Sequence, residues 1–259
     1  LKMKKIFQKL ISYYSKKLNT KFLGSKYGGW DFIETESLLN STIISAGVGT
    51  DVSFDIEIMQ KYNTKVIFID PTPSALDHLE LVLSSIGKHN TLPYSDDGKQ
   101  NIDSYNLSNL KKEDFIIESK ALYNLNDISI KFYQPKNLEH VSHSISNWQN
   151  NYSKNSPYLM VNTINFKNII KKYKLQNIEI IKLDIEGAEF DVLSDLLKLK
   201  TKPKQILVEF DELQTNKIIN YIKYLVLIIK LYLNGYTMIQ TKNYPNFLFI
   251  NRSSFPIIN

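Results

Sequence analysis

The chain contains no cysteine and lacks several patterns that would indicate other classes of protein. Without cysteine it has no disulfide framework, no thiolate nucleophile and no cysteine-ligated metal site. The net charge of +6 comes from a general excess of lysine. Since no dense Lys/Arg block alternates with aromatic residues, nucleic acid is disfavoured as a partner. The Walker phosphate loop is also missing, which disfavours ATP or GTP hydrolysis.

The N-terminal segment lacks the continuous apolar stretch and the small-residue cleavage site of a signal peptide. Residues 2–17 instead place apolar side chains at helical spacing among lysines. We therefore expect a basic amphipathic helix within residues 1–26, followed by a single domain over residues 27–259. This helix is expected to pack on the domain or on a second subunit, and peripheral contact with a membrane surface stays open.

Length and composition indicate one large globular domain, since 259 residues that are 43% hydrophobic can bury a sizeable core. Residues 218–233 are strongly apolar, but the segment is short for a membrane span and contains Lys223 and Lys230. This pattern indicates a buried helix or one that forms a homodimer. A cytoplasmic location is the expectation.

The chain alternates short apolar runs, which predict buried strands, with segments of helical spacing. Repeated strand–helix units predict an α/β fold with a parallel sheet and helices on both faces. The long polar segment 134–160 predicts a substrate lid, because long loops in compact domains are usually functional or disordered. Strands are expected at 43–46, 66–69, 115–122, 178–184, 204–210, 236–241 and 247–251, with 128–133 as a hairpin partner of 115–122; helices are expected at 51–62, 73–86, 165–173, 188–199 and 212–233.

Two of the predicted strand ends carry residues typical of a nucleotide site. Gly47 and Gly49 follow the first strand, where glycine lets a ligand approach the backbone and leaves helix N–H groups free. Asp70 ends the second strand, about 20 positions later, where an acidic residue accepts hydrogen bonds from ribose hydroxyls. In such sheets ligands bind at the carboxyl ends of the strands. The pattern favours a nucleoside-containing cofactor over a purely structural turn.

The start of the next helix indicates which cofactor this is. The third glycine of the dinucleotide fingerprint is replaced by Val52, with Asp51 beside it. A carboxylate at this helix start is unfavourable for a pyrophosphate but suits a cationic sulfonium such as S-adenosylmethionine. An NAD-dependent oxidoreductase is a weaker alternative, because no Tyr-x-x-x-Lys dyad occurs in the expected strand–helix context.

The third strand end, after residues 178–181, carries three ionisable residues. Alternate residues of a strand share a face, so Lys182 and Asp184 point the same way, and Glu186 lies just past the end. Charges on an interior strand are costly unless they are paired or reach water. We therefore expect Asp184 and Glu186 to be catalytic. Lys182 is expected to orient them or to form an ion pair with a neighbouring acid.

The most distinctive stretches of the sequence are Tyr27–Trp30, Ser45–Asp55, Val66–Pro73 and Ile181–Glu189. Together they resemble the FkbM-type S-adenosylmethionine-dependent methyltransferases, over roughly residues 27–250. The resemblance implies the seven-stranded class I methyltransferase sheet, Rossmann-like with a reversed last strand. It also implies O-methylation of a sugar, glycan or small-molecule hydroxyl. Many methyltransferases have an acidic residue where this chain has Ser45, which is expected to weaken or shift cofactor contacts.

Four further cofactor contacts are predicted from position. Pro71 and Thr72 follow Asp70, and Thr72 either hydrogen-bonds adenosine or caps the next helix. Lys120 and Ala121 end the third strand, where the fold implied by the resemblance usually places adenine.

Methyl transfer to a hydroxyl needs a deprotonated oxygen, so a general base or a metal must assist. His143 is the imidazole candidate for the base, and His140 is a weaker one. Asp184 and Glu209 end neighbouring strands and could hold a divalent cation or bind sugar hydroxyls, or Asp184 could be the base. A non-catalytic cofactor-binding or assembly subunit is the remaining alternative.

Overall fold

The computed structural model describes residues 2–135, 143–150, 153, 155–215 and 217–255. The strands are β1 (Lys21–Leu23), β2 (Trp30–Phe32), β3 (Thr42–Ala46), β4 (Lys65–Ile69), β5 (Phe115–Glu118), β6 (Ala121–Leu122), β7 (Ser129–Tyr133), β8 (Tyr158–Ile164), β9 (Ile180–Leu183), β10 (Gln205–Glu209), β11 (Tyr236–Ile239) and β12 (Asn246–Asn251). The α-helices are α1 (Lys2–Tyr14), α2 (Ser53–Tyr62), α3 (Pro73–Ser84), α4 (Phe166–Lys172), α5 (Glu189–Leu196) and α6 (Ile218–Leu233).

A seven-stranded sheet forms the centre of the fold, with strand order β11-β12-β10-β9-β3-β4-β5. β3, β4, β5, β9 and β10 pair in parallel, whereas β12 runs antiparallel to both β10 and β11. This confirms the Rossmann-like sheet with one reversed strand. The chain builds outward from β3 to β5 and then returns to place β9 on the other side of β3. That reversal is the point where such sheets bind ligands.

Helices cover both faces of the sheet, as predicted, because its central strands are apolar on both sides. Ile44, Ile67 and Ile181 pack in one core cluster with residues of α4, α5 and α6. Their sequence neighbours Ile43 and Val66 belong to a second cluster with residues of α2 and α3. Successive side chains of each strand point to opposite faces of the sheet, so each strand contributes to both core clusters.

The prediction of one strand over 115–122 with a hairpin partner at 128–133 is wrong. β5 ends at Glu118, and β6 belongs to a separate three-stranded sheet of order β6-β8-β7. β7 pairs antiparallel with β8, from Ser129↔Asn162 to Tyr133↔Tyr158. The alternation of residues in β7 identifies a strand but not its partner. The last residues of the predicted lid, from Tyr158, form the start of β8.

The N-terminal helix packs on the domain through Phe7, whose ring centroid lies 5.1 Å from that of Tyr221 on α6. The rest of the segment 1–26 contains β1, which pairs with β2. α6 buries Tyr224 and Leu227 but exposes an apolar face that includes Ile219 and Leu233. Among the described residues, no helix combines the length and apolarity needed to cross a bilayer. Homodimer formation and peripheral membrane contact stay predictions.

Candidate active site

One cavity of about 700 Å³ opens at the carboxyl ends of the central strands. Its volume lies in the range of small-molecule sites. The structure brings the predicted strand ends, including the end of β10, together in this cavity. The predicted site residues that line it are Gly47, Gly49, Asp51, Asp70, Pro71, Thr72, Ala121, His143, Lys182, Asp184, Glu186 and Glu209.

Two residues considered in the sequence, Lys120 and Ser45, do not line the cavity. Lys120 does not line the cavity and forms a surface ion pair with Asp127, at 2.5 Å. Ser45 is fully buried and contacts Lys182, so its side chain is not part of the cavity wall. His140 lies outside the described residues.

Gly47 allows the ends of β3 and β9 to meet. Its φ of +74° lies in the region that favours glycine. A Cβ at this position would lie 1.6 Å from the backbone oxygen of Asp184. No side chain fits there, so the glycine fixes how closely the first and third strand ends approach.

Asp70 organises the glycine turn through its carboxylate. Oδ2 accepts hydrogen bonds from the backbone N–H of Val48 (2.8 Å) and of Gly49 (3.2 Å). Oδ1 accepts from the backbone N–H of Thr72 (2.9 Å) and from its hydroxyl (2.6 Å). Thr72 stands at the start of α3 but does not cap it with its side chain. Ribose hydroxyls would therefore share or replace existing partners of Asp70.

Asp51 holds the loop that carries Tyr27. Its Oδ2 accepts hydrogen bonds from the Ser25 hydroxyl (2.6 Å) and from Gln100 Nε2 (3.0 Å). A Cβ on Gly28 would lie 2.5 Å from the carboxyl carbon of Asp51, so this glycine lets the loop pack directly against the Asp51 side chain. The sequence indicated a cofactor contact for Asp51, and the structure adds this role in fixing the loop.

Lys182 forms an ion pair beneath the cavity with Asp55, a residue that the sequence reasoning did not single out as a partner. Their Nζ and Oδ2 atoms lie 3.4 Å apart, and both side chains are buried. Burial raises the pKa of Asp55, and the charge of Lys182 opposes that shift. The predicted ion pair of Lys182 thus exists, but its partner comes from α2 rather than from the neighbouring strand ends.

Replacing Lys182 by Met is expected to lower the free energy of unfolding by about 3 kcal/mol, because Asp55 would be left as a buried charge without its partner. The expected loss lies at the low end of the usual range because 3.4 Å is long for an ion pair. Urea unfolding measures the change. The double variant Lys182→Met/Asp55→Leu should recover most of the loss. An unchanged urea midpoint in the single variant would show that the ion pair does not stabilise the fold.

Four carboxylates from two neighbouring strand ends line one side of the cavity: Asp184, Glu186, Glu209 and Asp211. Asp184, Glu186 and Asp211 each offer an oxygen within 4.8 Å of the others. Burial, followed by their mutual repulsion, raises the pKa of Glu209 and of Asp211 well above the usual values. Burial also raises the pKa of Asp184, while Lys182 opposes the shift.

The sequence predicts Asp184 and Glu209 as a possible metal pair, and this pair stays a prediction. The structure groups Asp184 with Glu186 and Asp211, whose oxygens lie within 4.8 Å of one another. The spacing Glu209-x-Asp211 is the sequence signal for the third acid, because residues two apart share a face of a strand.

Tyr27 completes the acidic wall. Its ring packs so closely on Gly98 that a Cβ there would lie 2.6 Å from a ring carbon. Partial burial, and then the charges of Asp184 and Glu209, raise the pKa of Tyr27 to about 12. The phenol therefore stays protonated and can donate a hydrogen bond into the cavity.

His143 lies on the side of the cavity formed by the small sheet. Its ring stacks on Phe132, with centroids 5.9 Å apart and planes 16° apart. The next residue, Ser144, contacts the backbone oxygen of Glu186 through its hydroxyl. This contact ties the described start of the 143–150 segment to the acidic turn.

Comparison with known proteins gives a family match over most of the chain. A family described as the methyltransferase FkbM domain matches residues 34–233. No curated protein matches the sequence. A solved structure, the Methanococcus jannaschii fibrillarin pre-rRNA processing protein, is 12% identical, with a TM-score of 0.40. The match covers 91% of this chain and 84% of that one. A similarity of this size bears on neither substrate nor mechanism.

Proposed function

The chain belongs to the FkbM methyltransferase family, and from this membership we propose that it transfers a methyl group from S-adenosylmethionine to a hydroxyl of a sugar, glycan or small-molecule acceptor. One observation carries the proposal. The glycine turn after β3, Asp70 after β4 and the acids after β9 and β10 all line one cavity at the reversal of strand order.

The charge of the cavity wall fits a sulfonium better than a pyrophosphate. Asp184, Glu209 and Asp211 line it together with other acids. The two lysines in the wall already have partners, Lys182 with Asp55 and Lys26 with Asp96. A positively charged ligand is therefore attracted, whereas the phosphates of a dinucleotide would meet like charge.

Bound S-adenosylmethionine would supply a methyl group made electrophilic by its sulfonium. We assign its adenosine to the wall formed by Asp70, Pro71 and Ala121, beside the turn of Gly47 and Gly49. Backbone atoms can approach a ligand closely at such a turn. The remaining volume, towards the four carboxylates and Tyr27, is assigned to the acceptor.

The acceptor hydroxyl must lose its proton as the oxygen attacks, because an alcohol is a weak nucleophile. Asp184 is the assigned base: it lies at the reversal point, and a raised pKa makes a carboxylate a stronger base. Tyr27 is assigned to hold a second acceptor oxygen as a hydrogen-bond donor. His143 is the alternative base, from the opposite wall.

Calorimetry with S-adenosylmethionine and with its demethylated product tests the cofactor assignment. Both are expected to bind one site per chain. Asp70→Ala should weaken binding by about tenfold or more, because a charged hydrogen-bonding group is lost at the turn. Lys120→Ala is the control, since Lys120 lies outside the cavity, and it should bind as the unchanged chain does.

A methyl-transfer assay across sugars, glycans and small hydroxyl compounds tests the activity. The expected result is product with at least one acceptor class. Cofactor binding without any product would favour a non-catalytic subunit. Tight binding of NADH without binding of S-adenosylmethionine would contradict the proposal.

A further inference from the structure

Three carboxylates in the cavity are close enough to share one ion. Asp184 and Glu186 come from the turn after β9, and Asp211 follows β10, which pairs directly with β9. Each offers an oxygen within 4.8 Å of the others. Carboxylates this close repel one another unless a proton or a cation lies between them. The cluster alone would not define a site, since groups of acids occur without ions.

Asp211 supplies an independent observation. Asp211 keeps only 4% of its accessible surface, and it lines the cavity. Its Oδ2 is buried and accepts no hydrogen bond within the described part of the chain. A buried carboxylate oxygen without a partner is costly, and native proteins rarely leave one.

The lysine nearest to this cluster in sequence already forms an ion pair. Lys182 is paired with Asp55 below the cavity. Over the described ranges, no Lys or Arg forms an ion pair with Asp184, Glu209 or Asp211. Within these ranges, no lysine or arginine therefore balances the charge of Asp184, Glu209 or Asp211 through an ion pair.

The turn that carries Glu186 is held in place by other residues. Glu186 has φ +53° and Gly187 has φ +103°, so the turn is in a conformation that most residues avoid. The buried carboxylate of Glu189 accepts hydrogen bonds from the Gly187 N–H at 2.9 and 3.1 Å. Tyr224 donates to Glu189 at 3.3 Å from α6. These contacts hold the backbone of the turn from which the Glu186 side chain extends.

We propose that Asp184, Glu186 and Asp211 bind one hard divalent cation of the Mg²⁺ type, with Glu209 beside them. Hard cations prefer carboxylate oxygens, and Mg²⁺ keeps several water ligands. Three protein ligands leave coordination positions open to solvent or to acceptor oxygens. The role of the cation in catalysis, holding the acceptor hydroxyl and lowering its pKa, rests on the proposed function, whereas cation binding does not.

Titration of the full chain with Mn²⁺, followed by electron paramagnetic resonance after chelator treatment and desalting, tests the site. We expect one Mn²⁺ per chain, displaced by Mg²⁺. Asp211→Asn should weaken Mn²⁺ binding at least tenfold. Asp77→Asn removes the same charge from the exposed surface of α3 and should leave binding unchanged.

Thermal unfolding shows whether a folding defect, rather than the loss of a metal ligand, weakens Mn²⁺ binding by Asp211→Asn. Without metal, this variant should melt at or above the temperature of the unchanged chain, because one repelling charge is gone. Added Mn²⁺ should raise the melting temperature of the unchanged chain but not that of the variant. Failure to bind Mn²⁺ stoichiometrically, or equal binding by Asp211→Asn, would overturn the cation site.

Methyl transfer in the presence and absence of chelator separates this inference from the proposed function. Bound Mn²⁺ without methyl transfer to any acceptor would leave the cation site standing and remove the function. Methyl transfer that is undiminished in chelator, in a protein that does not bind Mn²⁺, would support the proposed function and remove the cation site.

Discussion

Replacing Asp184 by Asn is expected to slow methyl transfer by about 10²- to 10⁴-fold, the usual range for loss of a general base. Asp184 lies at the end of β9, beside the glycine turn of β3, where the two halves of the sheet diverge. It is the assigned base, and in the cation-bound form of the site its carboxylate is a ligand instead, so the variant loses whichever role applies. The amide of Asn cannot accept the hydroxyl proton at neutral pH. It also lacks the negative charge with which a carboxylate binds a cation.

The variant is expected to fold, because Asn keeps the shape of Asp and removes a charge that its buried neighbours repel. Circular dichroism and calorimetry with S-adenosylmethionine would verify the fold and the cofactor site. Asp195→Asn is the control: Asp195 pairs with Lys198 on the surface of α5, outside the cavity. Unchanged turnover in Asp184→Asn would remove Asp184 from the mechanism.

Replacing Gly47 by Ala is expected to destabilise the fold by roughly 3 kcal/mol or more and to abolish cofactor binding. Alanine at φ +74° costs about 1–2 kcal/mol in backbone strain. The larger cost is steric, because the new Cβ would lie 1.6 Å from the Asp184 backbone oxygen. The two strand ends would have to separate, and the cavity wall would move with them.

Gly87→Ala provides a matched control for this prediction. Gly87 also has a positive φ, +96°, but a Cβ there would have no neighbour within 4 Å. Gly87→Ala should lose only the stability that backbone strain costs, and it should bind the cofactor as tightly as the unchanged chain does. Urea unfolding and calorimetry on both variants separate strain from contact. Equal losses of stability and of cofactor affinity in the two variants would mean that the close approach of the strands at Gly47 does not determine the geometry of the site.

The central sheet and the strand ends could be predicted from the sequence because their signals are local. Ile43–Ala46 is apolar except for Ser45, and Val66–Ile69 is apolar throughout; Gly47 follows the first run and Asp70 follows the second. The rule that ligands bind at the carboxyl ends of parallel strands then places Gly47, Asp70 and Asp184 together.

The contacts that sequence reasoning missed join residues far apart in the chain. Lys182 and Asp55 are 127 positions apart, and nothing local identifies one as the partner of the other. The pairing of β7 with β8 crosses the polar segment 134–157 for the same reason. The unpartnered oxygen of Asp211 is a property of packing, which the sequence does not display.

The most direct test of the account is a crystal structure of the protein with S-adenosylhomocysteine. We expect the nucleoside against Asp70 and Ala121, with the sulfur atom facing the carboxylates after β9 and β10. A ligand bound on another surface, with this cavity filled only by solvent, would contradict the account.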